Sequence, residues 1–216
     1  MASTISPFER NTRTLRPSSS SFTPTRSALL VCGLNNATLE IWIGRLLSTT
    51  PPSPKEALPV ITFNDSLSVH FNGEDIRAIH FPHGHTDGDS VIFFSTSNVV
   101  HLGDDFFAGR FPFVDLESGG SVEGLVKNIG ELIGKIPADA KLIPGHGPIS
   151  TLDDLKSYHR MLQQTTEIVR GKITAGKTLD QIKTEGLPAE WAPWGTGFIK
   201  TDVWVETIYK SLTAKK

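Results

Sequence analysis

The stretch Pro82-His83-Gly84-His85-Thr86-Asp87-Gly88-Asp89 gathers two histidines and two aspartates in a glycine-rich loop. An extended apolar run, residues 76–81, precedes it, and a second one, residues 90–94, follows it. Loops at the ends of strands are where a rigid scaffold presents functional side chains. The pattern therefore predicts a strand, a loop bearing His85, and another strand.

Two further segments repeat this arrangement. Asp104 follows Gly103 after the apolar run 99–102, and His146 lies in Pro144-Gly145-His146-Gly147-Pro148 after the short run 141–143. Since all three candidates are expected to end strands on the same side of one sheet, we expect them to lie together. Imidazole and carboxylate suit zinc, iron or manganese. His85, Asp104 and His146 are the candidate metal ligands.

The surrounding chain predicts an α/β layered domain. Alternation over residues 66–71 and the hairpin signal Asn72-Gly73 favour a largely antiparallel meander of four or five strands over residues 59–103. Helical periodicity follows over residues 122–136. Capping-box-like starts at Thr151 and Thr178 predict two more helices. An earlier amphipathic helix is expected over residues 39–47.

Composition limits the class of protein. With 21 Lys+Arg against 23 Asp+Glu, no basic surface for a nucleic acid is implied. Cys32 is the single cysteine, which excludes an intrachain disulfide. No apolar run approaches the roughly 20 residues of a membrane span. We expect a soluble intracellular protein, cytoplasmic or organellar, with neither nucleic acid nor membrane as partner.

Residues 1–27 differ from the remainder. They hold seven Ser, five Thr, four Arg and three Pro against one acid, Glu9. This composition predicts a disordered leader, either an organellar transit peptide or a segment without a targeting role. Residues 28–216 are expected to form one domain.

The motifs resemble those of the metallo-β-lactamase superfamily: Gly84-His85-Thr86, Gly103-Asp104 and Pro144-Gly145-His146-Gly147. The separations, 19 residues from His85 to Asp104 and 42 from Asp104 to His146, are also similar. The resemblance covers about residues 37–216. It implies an αββα sandwich in which Asp104 bridges two metals, His85 completes the first site and His146 belongs to the second.

The resemblance implies a zinc-type hydrolase acting on ester, thioester, lactone or lactam bonds of a small molecule. Aspartate at the bridging position is similar to the glyoxalase II-like and general hydrolase branches. The family's early signature, His-x-His-x-Asp-His, is absent from the chain. We therefore expect a partial sandwich lacking most of its first βα half, at most one bound metal ion, and impaired catalysis.

Two alternatives stay open. His83-x-His85-x-Asp87 matches the first five positions of the early signature, although Gly88 replaces the last histidine and too little chain follows for the later ligands. His83 is either an additional ligand or a solvated loop residue. The protein itself is either a hydrolase or a non-catalytic remnant that binds a partner, including a second copy, over an exposed sheet.

Other residues have two interpretations each. Asp87, Asp89 and Asp105 either orient the histidines or form turns, with turns favoured. Four phenylalanines either line a substrate mouth around Arg110 or pack beneath a loop: Phe106, Phe107, Phe111 and Phe113. Three tryptophans are expected to anchor C-terminal packing: Trp191, Trp194 and Trp204.

Overall fold

The computed structural model describes residues 61–214. The predicted leader, residues 1–27, and the predicted helix at residues 39–47 lie outside this range. Among the described residues, no helix is both long and apolar enough to cross a membrane. All three candidate ligands, His85, Asp104 and His146, lie within the described residues.

Five strands form one sheet in the order of the sequence. The strands are β1 (Ser66–Phe71), β2 (Glu74–His80), β3 (Ser90–Phe94), β4 (Val99–Phe107) and β5 (Lys141–His146). The first four pair antiparallel, as predicted. β5 pairs parallel with β4, because the connection between them is a helical crossover rather than a hairpin.

The predicted C-terminal end of strand β4 is wrong. A strand ending at residue 102 was the prediction, but β4 continues to Phe107. Gly103 adopts φ +54°, a left-handed conformation that glycine tolerates, and the pairing with β5 shifts register on both sides of it. This bulge redirects Asp104, and the buried Phe106 and Phe107 then keep the chain in the sheet.

Within residues 61–214 the sheet is accompanied by four α-helices that pack against one another, with 3₁₀ turns at Leu116–Ser118 and Ala189–Thr196. The helices are α1 (Val122–Ile133), α2 (Leu152–Thr174), α3 (Leu179–Glu185) and α4 (Thr201–Thr213). Both predicted capping boxes are present, Thr151 with Asp154 and Thr178 with Gln181. Helix α4 and the second 3₁₀ turn were not predicted from the sequence.

The core lies between the sheet and this helical layer. Fully buried side chains from both sides meet there, among them Val100, Leu102, Leu142, Leu125, Ile129, Leu155 and Trp204. Each such aliphatic side chain contributes about 1.5–3 kcal/mol by leaving water. The described residues form an α/β layered domain, as predicted, with the ends of β2 and β5 and the bulge of β4 on one side of it.

Candidate metal centre

The structure brings the three predicted ligands together around Asp104. Its Oδ2 lies 3.6 Å from His85 Nε2, and its Oδ1 lies 3.5 Å from His146 Nε2. Each carboxylate oxygen therefore faces a different imidazole. Segments distant in sequence meet here because the loop after β2, the bulge in β4 and the end of β5 lie on one side of the sheet.

His85 is held in a single orientation from two directions. Its Nδ1 lies 2.8 Å from the carbonyl oxygen of Phe113, and its backbone N–H donates to Asp105 Oδ1 at 3.3 Å. The residue is only 3% exposed. Donation from Nδ1 to the carbonyl leaves Nε2 as the nitrogen with a lone pair, directed at Asp104.

Two carboxyl groups, the buried Asp105 and the half-buried Asp89, support the same loop. Asp89 accepts from the backbone N–H of Thr86 at 2.9 Å and from its hydroxyl at 2.7 Å. Both carboxyl groups lie against Gly84, where an added Cβ would come within 2.4 Å of Asp105 Oδ1 and 2.7 Å of Asp89 Oδ2. Together, Asp105 and Asp89 hold the backbone N–H groups of His85 and Thr86 in place.

Burial dominates the electrostatics of this pair. It raises the pKa of Asp89, and it raises the pKa of Asp105 well above its ordinary range, with the neighbouring Asp89 charge adding to the effect. Both shifts favour the neutral form of the carboxyl group, because a carboxylate that is withdrawn from water loses its hydration.

His146 ends β5 on the other side of Asp104. Its ring stacks on Phe107 with centroids 4.6 Å apart and planes at 24°. Its carbonyl accepts from the N–H of Ala108 at 2.9 Å. His146 thus has one aromatic face covered while its side chain remains 43% exposed.

The three residues supply the donor atoms that a metal site needs, but their side chains are not arranged around a common point in this structure. Two ligands of a tetrahedral zinc with bonds of about 2.0–2.2 Å lie about 3.3–3.5 Å apart, close to the separations of 3.5 and 3.6 Å around Asp104. Within residues 61–214, however, no group of three or more His, Cys, Asp or Glu side chains is arranged to hold a metal ion. As they stand, the three residues form two contacts between imidazole and carboxylate.

His83 lies in the same loop but belongs to a different set of contacts. Its Nδ1 is 3.2 Å from Asp87 Oδ1 and 3.2 Å from the Gly119 carbonyl, and its side chain is 64% exposed. None of its contacts within the described residues is to Asp104 or His146. The structure therefore favours the solvated loop residue over the additional ligand.

The other described histidines have structural partners. His70 pairs with Asp75 on the exposed edge strand, and His159 donates to the Val126 carbonyl at 3.0 Å. His80 bridges two backbone carbonyls, and His101 accepts from the N–H of Gly103 at 3.1 Å. Burial lowers the pKa of His101 and of His159.

Two interpretations from the sequence need correction. The turn assignment is wrong for Asp105, which is a buried strand residue bonded to the loop of His85. The substrate-mouth interpretation is wrong for Phe106 and Phe111, which are fully buried packing residues. Trp204 is also fully buried, in agreement with its predicted role as a packing anchor. Sequence reasoning also assigned no role to Phe198, whose ring lies 5.6 Å from that of His146.

No protein-family model matches the sequence, and no curated protein matches it. Solved structures do match. The inverting sec-alkylsulfatase Pisa1 from Pseudomonas sp. is 14% identical over 74% of this chain and 27% of its own, with a TM-score of 0.58. The B3 metallo-β-lactamase BLEG-1 is 22% identical over 55% of this chain, with a TM-score of 0.47, and a metallo-β-lactamase from Pontibacter korlensis is 18% identical over 50%, with a TM-score of 0.43.

These likenesses concern the fold. The chain spans about a quarter of the alkylsulfatase and about half of each metallo-β-lactamase, 56% and 50%. At these identities only the arrangement of the backbone is shared. The described residues share the backbone fold of part of the alkylsulfatase, and their mixed sheet with covering helices agrees with the predicted α/β fold class.

Proposed function

We propose that the protein is a metal-dependent hydrolase of ester, thioester, lactone or lactam bonds in small molecules. One observation supports this above all others: the Asp104 carboxylate lies between two imidazole nitrogens, 3.6 Å from His85 and 3.5 Å from His146. A carboxylate with one oxygen facing each imidazole suits a shared metal ligand.

The contacts around His85 support the same proposal. A histidine that ligates a metal through one nitrogen typically donates its other N–H to a backbone carbonyl or carboxylate. His85 has this arrangement, with Nδ1 2.8 Å from the Phe113 carbonyl and Nε2 facing Asp104. Zinc fits the two imidazoles and one carboxylate best, with iron or manganese as further candidates. We expect one ion at most, bound after small side-chain shifts.

Each residue then has a defined task. His85, Asp104 and His146 would hold the ion, and zinc there would supply a Lewis acid together with a water nucleophile near neutral pH. Asp105 and Asp89 keep the loop of His85 in register through backbone N–H groups. Phe107 holds the His146 ring by stacking. The exposed side of His146 leaves room for a substrate carbonyl.

Metal titration tests the proposal directly. Zinc, iron or manganese added to metal-free protein should saturate near one equivalent, and Asp104→Ala should remove both binding and any hydrolysis of esters or lactones. His83→Ala is the matched control, since His83 contacts Asp87 rather than Asp104. Binding below about 0.2 equivalents, with Asp104→Ala indistinguishable from the wild type, would refute the metal site.

A second function is favoured by one specific observation. On β1, the outermost strand of the sheet within residues 61–214, Phe71 is 69% exposed and Val69 is 43% exposed. An apolar edge strand is a surface on which another chain can pair. In this alternative the protein is a non-catalytic binding domain or self-associates over the sheet. Sedimentation velocity of wild type and Phe71→Lys tests self-association over β1, which predicts that the wild type forms an assembly and that the variant reduces it.

A further inference from the structure

Arg110 is a half-buried cation in the turn that follows β4, where its backbone N–H donates to the carbonyl of Phe107. It lies three residues after Phe107, which stacks on His146, and three before Phe113, whose carbonyl faces His85. Within residues 61–214 its guanidinium group makes no ion pair or hydrogen bond. A partly desolvated guanidinium gains most from a planar anion that it can bind through two N–H groups.

Contacts with the segment after the second 3₁₀ turn place the stem of Arg110. A Cβ built on Gly197 would lie 3.3 Å from the Arg110 Cβ and 3.4 Å from its Cδ. The aliphatic part of the side chain therefore runs along the backbone of Gly197. The next residue is Phe198, so the stem of Arg110 lies against the segment that carries this aromatic ring.

Phe198 is largely exposed to solvent although its ring lies close to His146 of the candidate metal centre. Its side chain is 56% exposed although its ring lies 5.6 Å from His146 and 5.9 Å from Phe107, centroid to centroid. On the opposite side of Asp104, the half-buried Phe113 meets the His85 ring edge-on at 5.8 Å. Accessible aromatic surface thus adjoins both histidines. An exposed large apolar side chain beside polar groups is a mark of a ligand site.

We propose that the site takes organic anions with an apolar portion, the charged group pairing with Arg110 and the apolar part lying on Phe198. This substrate class rests on the proposed hydrolase function, whereas the binding itself does not. An aliphatic carboxylate satisfies both surfaces at once, since the guanidinium gains a counter-ion and the ring loses its exposure to water. A neutral compound of the same length satisfies only one.

Binding to metal-free protein tests the inference without relying on catalysis. Octanoate and 1-octanol are titrated by calorimetry into wild type, Arg110→Gln, Arg110→Lys and Phe198→Ala. Arg110→Gln should weaken octanoate binding about tenfold or more and leave 1-octanol unchanged. Arg110→Lys should fall between, because it keeps the charge and loses the bidentate geometry. Phe198→Ala should weaken both ligands.

The control is Arg77→Gln, which removes an exposed cation from β2 and should change neither titration. Equal octanoate binding by wild type and Arg110→Gln overturns the inference, as does an equal loss in Arg77→Gln. If Arg110 serves folding instead, Arg110→Gln lowers the thermal midpoint and leaves octanoate binding as it was. Hydrolysis by zinc-loaded protein is measured separately with mono-4-nitrophenyl suberate, an ester that keeps a free carboxylate. If this ester is not hydrolysed although octanoate binding depends on Arg110, the hydrolase proposal is refuted and the binding site is not.

Discussion

Gly145 lies directly against the carboxylate of Asp104. A Cβ built at residue 145 would come 2.1 Å from Asp104 Oδ1 and 2.7 Å from the carbonyl of Gly103. Real Cβ atoms do not approach other atoms this closely, so a side chain at residue 145 must displace Asp104 or separate β5 from the bulge of β4. The position of the Asp104 carboxylate therefore depends on the absence of a side chain at Gly145 in the neighbouring strand β5.

Gly145→Ala should consequently weaken metal binding while leaving all three ligands in the chain. Residues that only orient ligands typically change metal affinity by about 10–100-fold when mutated, and we expect a loss in this range for zinc. Competition with a chromophoric chelator measures it.

Gly171→Ala is the control for this substitution. Gly171 lies in α2, and a Cβ there would meet no heavy atom within 4 Å. Alanine should leave zinc affinity unchanged and raise the free energy of unfolding by up to about 1 kcal/mol through its better helix propensity. Wild-type zinc affinity in Gly145→Ala would show that Asp104 does not hold the metal in the position seen here.

Asp89→Ala should destabilise the fold, since it removes the acceptors of both the backbone N–H and the hydroxyl of Thr86. Leaving a buried donor unsatisfied costs about 1–3 kcal/mol, and we expect a loss of that size in urea unfolding. Asp139→Ala removes an exposed carboxylate and should have little effect. Equal stabilities of the two variants would contradict the supporting role of Asp89.

Much of the sheet and its site could be predicted because the local patterns and the tertiary structure agree. The alternation that includes Val69 and the turn Asn72-Gly73 correspond to β1 and its hairpin with β2. The glycine-rich loops of His85 and His146 follow strands that end on one side of the sheet. Their motif spacing also pointed to a metallo-β-lactamase fold.

What could not be predicted depends on tertiary packing. Helix α4 contains Thr201, Val203 and Val205, β-branched residues that favour strands, and its N-cap Lys200 makes no capping bond. It is helical because Trp204, Val205 and Ile208 are buried against the other helices. The bulge in β4 and the approach of Phe198 to His146 likewise arise from contacts between distant segments, which periodicity does not report.

Thr151→Ala should cost about 1 kcal/mol of stability, because Thr151 forms a capping box at the start of α2. Its hydroxyl accepts from the N–H of Asp154, while Asp154 accepts from the Thr151 N–H at 2.8 Å. Thermal unfolding measures the change. Ser157→Ala, within the same helix and exposed, should be neutral or slightly stabilising. The capping role fails if both alanine variants unfold at the same temperature.

Glu206 links two helices of the C-terminal region in a pH-dependent way. On α4 it accepts from Lys183 of α3 at 2.8 Å and from Lys210 at 2.7 Å. The hydrogen bond from Lys183, followed by that from Lys210, lowers the pKa of Glu206 from 4.5 to about 2. The folded protein therefore binds this proton less readily than the unfolded chain does. The stabilisation is complete above pH 4.5 and is lost as the pH falls from 4.5 toward about 2.

Lys183→Met should reduce stability above pH 4.5, where Glu206 is ionised, and should reduce it much less near pH 2. We expect the difference in free energy of unfolding between wild type and variant to be small at neutral pH, because the pair is partly solvated, and to shrink further as Glu206 becomes protonated. Urea unfolding at about pH 7 and 5, above the interval between the two pKa values, and at about pH 3, within it, measures the trend. Lys135→Met removes an exposed lysine without an ion pair among the described residues and should give a difference independent of pH. A Lys183→Met difference that stayed constant, or grew on acidification, would mean that the lysine stabilises the helix pair through its aliphatic stem rather than through Glu206.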